Sequence, residues 1–211
     1  MAARALLFDH DGTLVDSYEG IARSMRLTCR DLGVPEMTEE EIRASIGPTL
    51  EERFAELWGE AGAEEAARIY RAHYEAHLLS GTRLLPGVRP TLEALAAQGV
   101  PMACVSNKTW TVCRRQLAHF GLLVWMRAVF GHRQGFPPKP HPAMVQAALE
   151  ALGVGREEAV LVGDTPIDVA AARAAGVEAW LVRGRYASQG DIDQARPDRI
   201  LENFESILNL I

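Results

Sequence analysis

Residues 5–14 read Ala-Leu-Leu-Phe-Asp-His-Asp-Gly-Thr-Leu, and this stretch decides the fold. Its first four residues are apolar, and an apolar run this short is typical of a strand buried on both faces in a parallel sheet. Asp9 and Asp11 follow the run, and Gly12 then ends the extended pattern because glycine tolerates backbone angles that other residues avoid. The two carboxylates are therefore predicted at the carboxyl end of a buried strand, where open α/β sheets bind their ligands.

The two aspartates define a candidate site by themselves. Nearby carboxylates repel each other unless a cation or a shared proton lies between them. Asp9 and Asp11 are therefore candidates for a metal site, for a nucleophile with its acid/base partner, or for both. Asp and Gly also favour turns, so a plain turn is the alternative interpretation, and the motif alone leaves both open.

Length and charge limit the classes of function. The chain has 211 residues, which suits one large domain or one domain with an insert. Hydrophobic residues make up 48%, a share typical of a protein with a real core. The formal net charge of -6 argues against binding of a nucleic-acid backbone, which needs a basic face. Small anionic substrates remain possible because local charge decides their binding.

The cysteines and the first residues indicate the cellular compartment. Cys29, Cys104 and Cys113 form no Cys-x-x-Cys pair and lack metal-ligand spacing, so we expect buried thiols in a reducing compartment. Residues 1–4 lead directly into the first predicted strand and leave no room for a signal peptide. No apolar stretch has the length of a membrane span. We therefore expect a cytoplasmic protein with no membrane partner.

Residues 17–80 have helical periodicity and contain no buried strand. Thr38-x-x-Glu41 and Thr49-x-x-Glu52 are capping boxes, each of which predicts the start of a helix. Residues 46–48, Ile-Gly-Pro, interrupt those helices and predict a loop that exposes backbone. The segment therefore forms an all-helical unit.

A histidine pair in this unit has two interpretations. His73 and His77 are one helical turn apart, a spacing that can bind a metal. A metal site needs three or more ligands, and no third ligand is near in the sequence. Ordinary helix-surface histidines are the favoured interpretation.

From residue 84 onward, strands alternate with helices, which predicts a parallel sheet with right-handed crossovers. The expected fold is a Rossmann-like α/β core with helices on both faces of the sheet, plus an inserted helical cap. The core is predicted at residues 1–16 and 82–211 and the cap at residues 17–81. Further strands are predicted at 101–105, 128–130, 159–162 and 178–182, and helices at 88–98, 109–120, 143–152, 166–175 and 203–210.

Polar side chains follow the predicted strands of the core. Ser106 and Asn107 follow the second strand, Lys139 lies in a proline-rich loop after the third, and Asp164 with Asp168 follows the fourth. The carboxyl ends of parallel strands share one edge of the sheet, so these groups can converge. Carboxylate oxygens suit Mg²⁺, and a hydroxyl with a lysine suits phosphoryl oxygens. A helix cap or a surface position would explain each residue singly, but the combination indicates phosphate chemistry.

Four separated motifs together resemble the haloacid dehalogenase superfamily of phosphatases, in its helical-cap, phosphoglycolate phosphatase-like branch. The resemblance covers essentially the whole chain. The motifs are Asp-His-Asp-Gly-Thr-Leu-Val-Asp-Ser at 9–17, Val-Ser-Asn-Lys at 105–108, Lys-Pro-His-Pro at 139–142 and Gly-Asp-Thr-Pro-Ile-Asp at 163–168.

The resemblance implies a role for each matching residue. Asp9 would be the nucleophile, and Asp11 would protonate the leaving alcohol and then activate water. Mg²⁺ would be held by the side chain of Asp9, the backbone carbonyl of Asp11 and the side chain of Asp164. Ser106, Asn107 and Lys139 would bind the phosphoryl oxygens; Asp168 would orient Lys139 or the waters of the metal; and Gly47 and Thr49 would form the specificity loop of the cap.

Two residues inside the motifs are expected to be structural. His10 stands where the family usually has an apolar residue, and strand alternation would point its side chain away from the two aspartates. Lys108 follows the second motif and is expected to begin a helix.

The predicted function is Mg²⁺-dependent hydrolysis of a small phosphomonoester, such as phosphoglycolate, through an aspartyl-phosphate. The acid at Asp11 distinguishes phosphatases from dehalogenases of the superfamily, which the resemblance implies lack it. The alternatives are a sugar-phosphate mutase of the same superfamily and a non-catalytic phosphate-binding regulatory protein. The expected partner is a small phosphorylated metabolite and not a nucleic acid, with the oligomeric state, monomer or homodimer, left open.

Overall fold

The structure of the protein is a computed structural model, which describes residues 5–184 and 186–211. Its strands are β1 Ala5–Phe8, β2 Val15–Asp16, β3 Arg83–Leu84, β4 Met102–Thr109, β5 Ala128–His132, β6 Ala159–Gly163, β7 Glu178–Val182 and β8 Arg199–Leu201. Its α-helices are α1 Tyr18–Leu32, α2 Glu39–Ala44, α3 Leu50–Trp58, α4 Glu60–His77, α5 Val88–Ala97, α6 Trp110–His119, α7 Ala143–Leu152, α8 Pro166–Ala175 and α9 Gln189–Ala195.

Backbone contacts divide the described chain into two compact units. One contains the described residues up to Val15 together with Leu84–Ile211, and the other is Asp16–Arg83. The assignment of the second unit as a cap domain stays a prediction. The first four residues of the predicted core, which carry the expectation about a signal peptide, lie outside the described residues. In the part of the chain that is described, no helix combines the length and hydropathy of a membrane span.

The first unit is built on a six-stranded sheet of order β5-β4-β1-β6-β7-β8, in which every pair of neighbours is parallel. Alternate residues of β1 enter different halves of the core. Leu6 and Phe8 pack with apolar residues of α5 and α6, whereas Ala5 and Leu7 pack with those of α7 and α8. Both faces of the sheet are therefore covered, and the predicted Rossmann-like α/β fold is confirmed.

The predicted strands and helices differ from the structure mainly at the ends. The strand predicted at 101–105 runs on to Thr109, and the predicted C-terminal helix is a 3₁₀ helix at Phe204–Asn209. Helix α9, the edge strand β8 and the two-residue strands β2 and β3 were not predicted. Strands β4, β1 and β6 are neighbours and parallel, so the strand ends that carry the motifs share one edge of the sheet.

The second unit contains α1 to α4 and is all-helical, as the sequence predicted. Both predicted capping boxes are present, with the hydroxyls of Thr38 and Thr49 accepting from the N–H groups of residues 41 and 52. The core of the unit is aromatic, since the ring of Tyr70 stacks on that of Tyr74 at 5.5 Å. The imidazole of His73 contacts the Asp31 carboxylate at 2.7 Å.

Candidate active site

Asp9 follows β1 directly, and its backbone N–H extends the sheet by donating to the Val162 carbonyl at 2.9 Å. Its carboxylate faces the ammonium of Lys139, with 2.7 Å between Oδ1 and Nζ. The same ammonium donates to Asp168 Oδ1 at 2.6 Å and to the Val105 carbonyl at 2.9 Å. One buried cation therefore links the residue after β1, strand β4 and the first turn of α8.

Asn107 holds the backbone of Lys139 from both sides. Its Oδ1 accepts from the Lys139 N–H at 2.7 Å, and its Nδ2 donates to the Lys139 carbonyl at 2.9 Å. This pair of bonds ties the loop before α7 to β4 and fixes the origin of the lysine side chain. The side-chain amide of Asn107 is thus used to position Lys139, and its role toward a phosphoryl group stays a prediction.

Burial and neighbouring charges determine the protonation states of Lys139 and Asp9. Burial lowers the pKa of Lys139, but Asp168 and Asp9 outweigh it and raise that pKa above the ordinary value of a lysine. Burial raises the pKa of Asp9, Asp168 raises it further, and the attraction of Lys139 only partly offsets them. Lys139 therefore stays a cation, which partly compensates two carboxylates that would otherwise repel each other.

Asp168 is positioned by the start of its own helix. Its Oδ2 accepts from the backbone N–H of Thr165 at 3.1 Å and from the Thr165 hydroxyl at 2.7 Å, a capping box at the N-terminus of α8. Its Oδ1 accepts from Lys139. A side chain at Gly163 would place its Cβ 2.3 Å from Asp168 Cγ, so only glycine leaves room for this carboxylate.

Asp164 follows β6 and is completely buried. The Thr13 hydroxyl lies 3.4 Å from its Oδ1, while its Oδ2 has no hydrogen-bond partner among residues 5–184 and 186–211. Burial, followed by the charges of Asp168 and Asp9, raises its pKa well above the ordinary value. A buried carboxylate oxygen without a donor requires a positively charged partner or a proton.

The three aspartates form a cluster that could hold a cation. One carboxylate oxygen from each of Asp9, Asp164 and Asp168 lies within 4.8 Å of the others. At Gly12, which has a φ of 85°, a Cβ would lie 2.2 Å from Asp164 Oδ2, so glycine keeps this space open. A set of oxygen donors with net negative charge fits a hard divalent cation.

Asp11 is contacted by two basic side chains, those of Lys108 and His10. The prediction that Lys108 begins a helix is wrong. Lys108 lies in β4 and not at the start of a helix, because the chain stays extended through a register shift between Ser106 and Thr109. Its Nζ lies 2.8 Å from Asp11 Oδ2. Burial raises the pKa of Asp11, but Lys108 and His10 outweigh it and hold that pKa well below its usual range.

The expectation that His10 points away from both aspartates was also wrong. Its Nδ1 lies 3.3 Å from Asp11 Oδ1, and the side chain is completely buried. Strand β1 ends at Phe8, so the alternation of a strand does not extend to His10 and Asp11. The histidine is therefore a neighbour of the candidate acid/base.

The remaining predicted residues lie in two places. Ser106 is buried at the site, and its Oγ accepts from the Lys108 N–H at 3.3 Å. Gly47 and Thr49 belong to the helical unit, where Gly47 has a φ of 117° between α2 and α3. The Thr49 hydroxyl is used in its capping box. Their role in specificity stays a prediction.

The sequence did not indicate a role at the site for Lys108, Thr13 or Thr165. The capping-box spacing Thr165-x-x-Asp168 was a signal that could have identified Thr165. Thr13 lies beside Gly12 in the first motif, but nothing in the sequence indicates that its hydroxyl faces Asp164.

Comparisons with known proteins show the family of the chain. Residues 6–182 match the family model described as haloacid dehalogenase-like hydrolase. The chain is 32% identical over 216 residues to a phosphoglycolate phosphatase of Photorhabdus laumondii, covering 99% of this chain and 92% of that protein. It is 33% identical over 217 residues to a phosphoglycolate phosphatase of Pectobacterium atrosepticum, covering 100% of this chain and 93% of that protein.

A solved structure extends the similarity to three dimensions. The crystal structure of a predicted phosphoglycolate phosphatase from Haemophilus somnus superposes with a TM-score of 0.89 at 29% sequence identity. The superposition covers 98% of this chain and 97% of that chain. The similarity therefore extends over both units of the fold.

Proposed function

Since the chain belongs to the haloacid dehalogenase-like hydrolase family, we propose that it is a Mg²⁺-dependent phosphatase that hydrolyses a small phosphomonoester through an aspartyl-phosphate. Phosphoglycolate is the leading substrate, because relatives that span nearly the whole chain carry the name phosphoglycolate phosphatase. The observation that carries the proposal is the convergence of Asp9, Lys139 and Asp164 at one edge of the sheet.

The proposed first half-reaction uses Asp9 as the nucleophile. A carboxylate oxygen of Asp9 forms a bond to phosphorus while the bond between phosphorus and the alcohol oxygen breaks. Asp11, which Lys108 and His10 keep ionised in the free protein, relays the proton of the monoanionic phosphomonoester to the departing oxygen, so the products are a free alcohol and an aspartyl-phosphate. Lys139, with Nζ 2.7 Å from Asp9, supplies positive charge beside the developing charge of the transferred group.

The proposed second half-reaction regenerates the enzyme. Water forms a bond to phosphorus, the bond between phosphorus and Asp9 breaks, and Asp11 accepts the proton that water loses. The ion pair with Lys108 favours the ionised form of Asp11, which is the form that accepts a proton. Inorganic phosphate then leaves, and both aspartates return to their starting state.

Mg²⁺ is the cation proposed for the aspartate cluster. Asp9, Asp164 and the backbone carbonyl of Asp11 would hold it, and it would neutralise charge on the phosphoryl oxygens when bound. The unpartnered Oδ2 of Asp164 supports this assignment. Asp168 is proposed to act through Lys139, because both of its carboxylate oxygens already accept hydrogen bonds.

Replacing the nucleophile tests the proposed mechanism. Asp9→Asn should abolish phosphate release from phosphoglycolate and from p-nitrophenyl phosphate, with a loss of at least about 10⁴-fold, because an amide is a poor nucleophile. Release of inorganic phosphate is the measurement, and the exposed Asp193→Asn is the matched control. Activity of Asp9→Asn within about tenfold of wild type would overturn the assignment.

Thermal unfolding tests the cation separately from turnover. At about a hundred times its dissociation constant, Mg²⁺ should stabilise the wild type by about 2.7 kcal/mol and raise Tm by about 5–10 °C. Asp164→Asn should lose most of this increase, whereas Asp193→Asn should keep it. An equal increase in all three proteins would show that Mg²⁺ binds elsewhere.

A further inference from the structure

The carboxylate of Asp11 is held from two sides by basic side chains. Lys108 Nζ lies 2.8 Å from Oδ2, and His10 Nδ1 lies 3.3 Å from Oδ1. Only 10% of the Lys108 side chain and 13% of the Asp11 side chain are exposed, and His10 is fully buried. An ion pair this well shielded from water is more strongly coupled than a surface pair.

A bulge in β4 directs Lys108 to this position. Ser106 pairs with Gly131 and Thr109 pairs with His132, so Asn107 and Lys108 are additional residues on the β4 side. Bulges of this kind re-aim side chains, and they are common next to active sites. Here Asn107 binds the Lys139 backbone, while Lys108 reaches Asp11.

Gly131 makes room for the bulge. A Cβ at this position would lie 2.7 Å from the Lys108 carbonyl oxygen and 2.7 Å from the Trp110 Cα, both of which are backbone atoms. Backbone atoms cannot move aside as a flexible side chain can, so the close approach requires glycine. The orientation of Lys108 is therefore built into the sheet.

The composition of the chain also distinguishes Lys108. Of its 22 lysine and arginine residues, 20 are arginine, and the two lysines are Lys108 and Lys139. Both lysines contact carboxylates of the candidate site. A lysine ammonium is a compact point charge on a flexible stem, whereas a guanidinium is a planar fork. Lysine thus occurs only where a compact cation fits a crowded group of carboxylates.

We propose that Lys108 is a positioning residue that holds the Asp11 carboxylate toward the water that hydrolyses the aspartyl-phosphate. The reaction step in this proposal rests on the proposed function, whereas the assignment of Lys108 rests on its contact with Asp11. Lys139 contacts Asp9, the proposed nucleophile, whereas Lys108 contacts Asp11, the proposed acid/base. The two lysines therefore act on different proposed catalytic residues.

The contact is tested in solution without turnover. Protein labelled with ¹³Cε/¹⁵Nζ-lysine contains only two labelled side chains, and the spectrum of Lys108→Arg assigns their signals. Asp11→Asn should shift the Lys108 signal and leave that of Lys139 nearly unchanged, while Asp168→Asn should do the reverse. A Lys108 signal unaffected by Asp11→Asn would refute the contact, whatever reaction the protein catalyses.

Pre-steady-state kinetics with p-nitrophenyl phosphate tests the role. p-Nitrophenolate leaves without a proton, so the initial burst reports the attack by Asp9, and the later steady rate reports hydrolysis of the aspartyl-phosphate. Lys108→Met should keep the burst rate within about twofold and lower the steady rate about tenfold to a hundredfold, a part of the gain that acid/base groups supply. Lys108→Arg, which keeps the charge, should recover part of the steady rate.

Other outcomes contradict the proposal in distinct ways. A slower burst with weaker inhibition by inorganic phosphate would make Lys108 a phosphate-binding residue. Equal losses in both phases together with a lower Tm would make it a structural residue, and an unchanged steady rate would give it no role. If Asp9→Asn also retained the burst, the proposed function itself would be wrong, and the labelled-lysine result would still decide the contact.

Discussion

At the residue scale, Lys139 shows how a buried charge is maintained. Its ammonium has three oxygen partners, on Asp9, Asp168 and Val105, at 2.6–2.9 Å. Removing one member of a buried ion group costs about 3–5 kcal/mol because it leaves uncompensated charge. The group is therefore stable only as a complete set, and Asp9, the proposed nucleophile, depends on it for its electrostatic environment.

Substitution of Lys139 should affect activity and stability together. Lys139→Met should reduce turnover of p-nitrophenyl phosphate by about 10²–10³-fold, the loss typical of a removed charge-stabilising donor. Lys139→Arg should not restore turnover, because a planar guanidinium cannot place one donor nitrogen within hydrogen-bond distance of all three oxygens. Turnover and urea unfolding are the measurements. Arginine activity within about threefold of wild type would contradict this assignment of a compact cation.

The sequence predicted the convergence of some residues of the candidate site and not of others, for a physical reason. Asp9 and Asp164 were predicted because buried strands are visible as apolar runs, and parallel strands share an edge. Lys108 was misassigned because its position depends on a bulge formed between two strands that are distant in sequence. Local patterns indicate where a strand ends, but they do not indicate how tertiary pairing turns the next side chain.

At the element scale, β4 carries much of the organisation of the site. Its bulge separates Asn107, which ties the loop of Lys139 to the sheet, from Lys108, which reaches Asp11. The structure of the bulge in turn depends on the absence of a side chain at Gly131. An irregularity in one strand thus determines the placement of both lysines.

A methyl group at residue 131 should disturb this strand. Gly131→Ala should destabilise the protein by about 1–3 kcal/mol, the usual cost of overpacking, and should lower turnover by displacing Lys108. Gly190→Ala is the matched control, since the nearest atom to its Cβ would lie 3.8 Å away. Urea unfolding and phosphate release are the measurements, and equal stability of the two variants would contradict the steric requirement at Gly131.

Two of the unpredicted elements, α9 and β8, follow β7 near the C-terminus of the chain. Strand β8 has only three residues, Arg199–Leu201, too few for a periodic pattern to be visible. Helix α9 was detectable, because Ser188 and Asp191 form a capping box at its start. The central strands were predictable because burial on both faces requires continuous apolar runs, a condition that an edge strand does not meet.

At the scale of the whole molecule, the candidate catalytic residues all belong to one unit. The sheet-containing unit holds Asp9, Asp11, Lys108, Lys139 and Asp164, and the helical unit Asp16–Arg83 begins at the end of the first motif and ends before the second. The proposed chemistry and the predicted choice of substrate are thus assigned to separate parts of the chain. This separation allows the two to be tested independently.

Excision of the helical unit is the test at this scale. The Leu85 N–H donates to the Leu14 carbonyl at 3.2 Å, so the two ends of the sheet-containing unit are adjacent and a short Gly/Ser linker can replace residues 16–83. The excised protein should fold and keep its Mg²⁺-dependent increase in Tm, because the aspartate cluster is unchanged.

If the helical unit sets specificity, the ratio of kcat/KM for phosphoglycolate to that for p-nitrophenyl phosphate should fall by at least about tenfold, since remote contacts contribute binding energy only to the natural substrate. Gly47→Val in the full chain should shift the same ratio in the same direction. A ratio unchanged by excision would assign specificity to the sheet-containing unit instead.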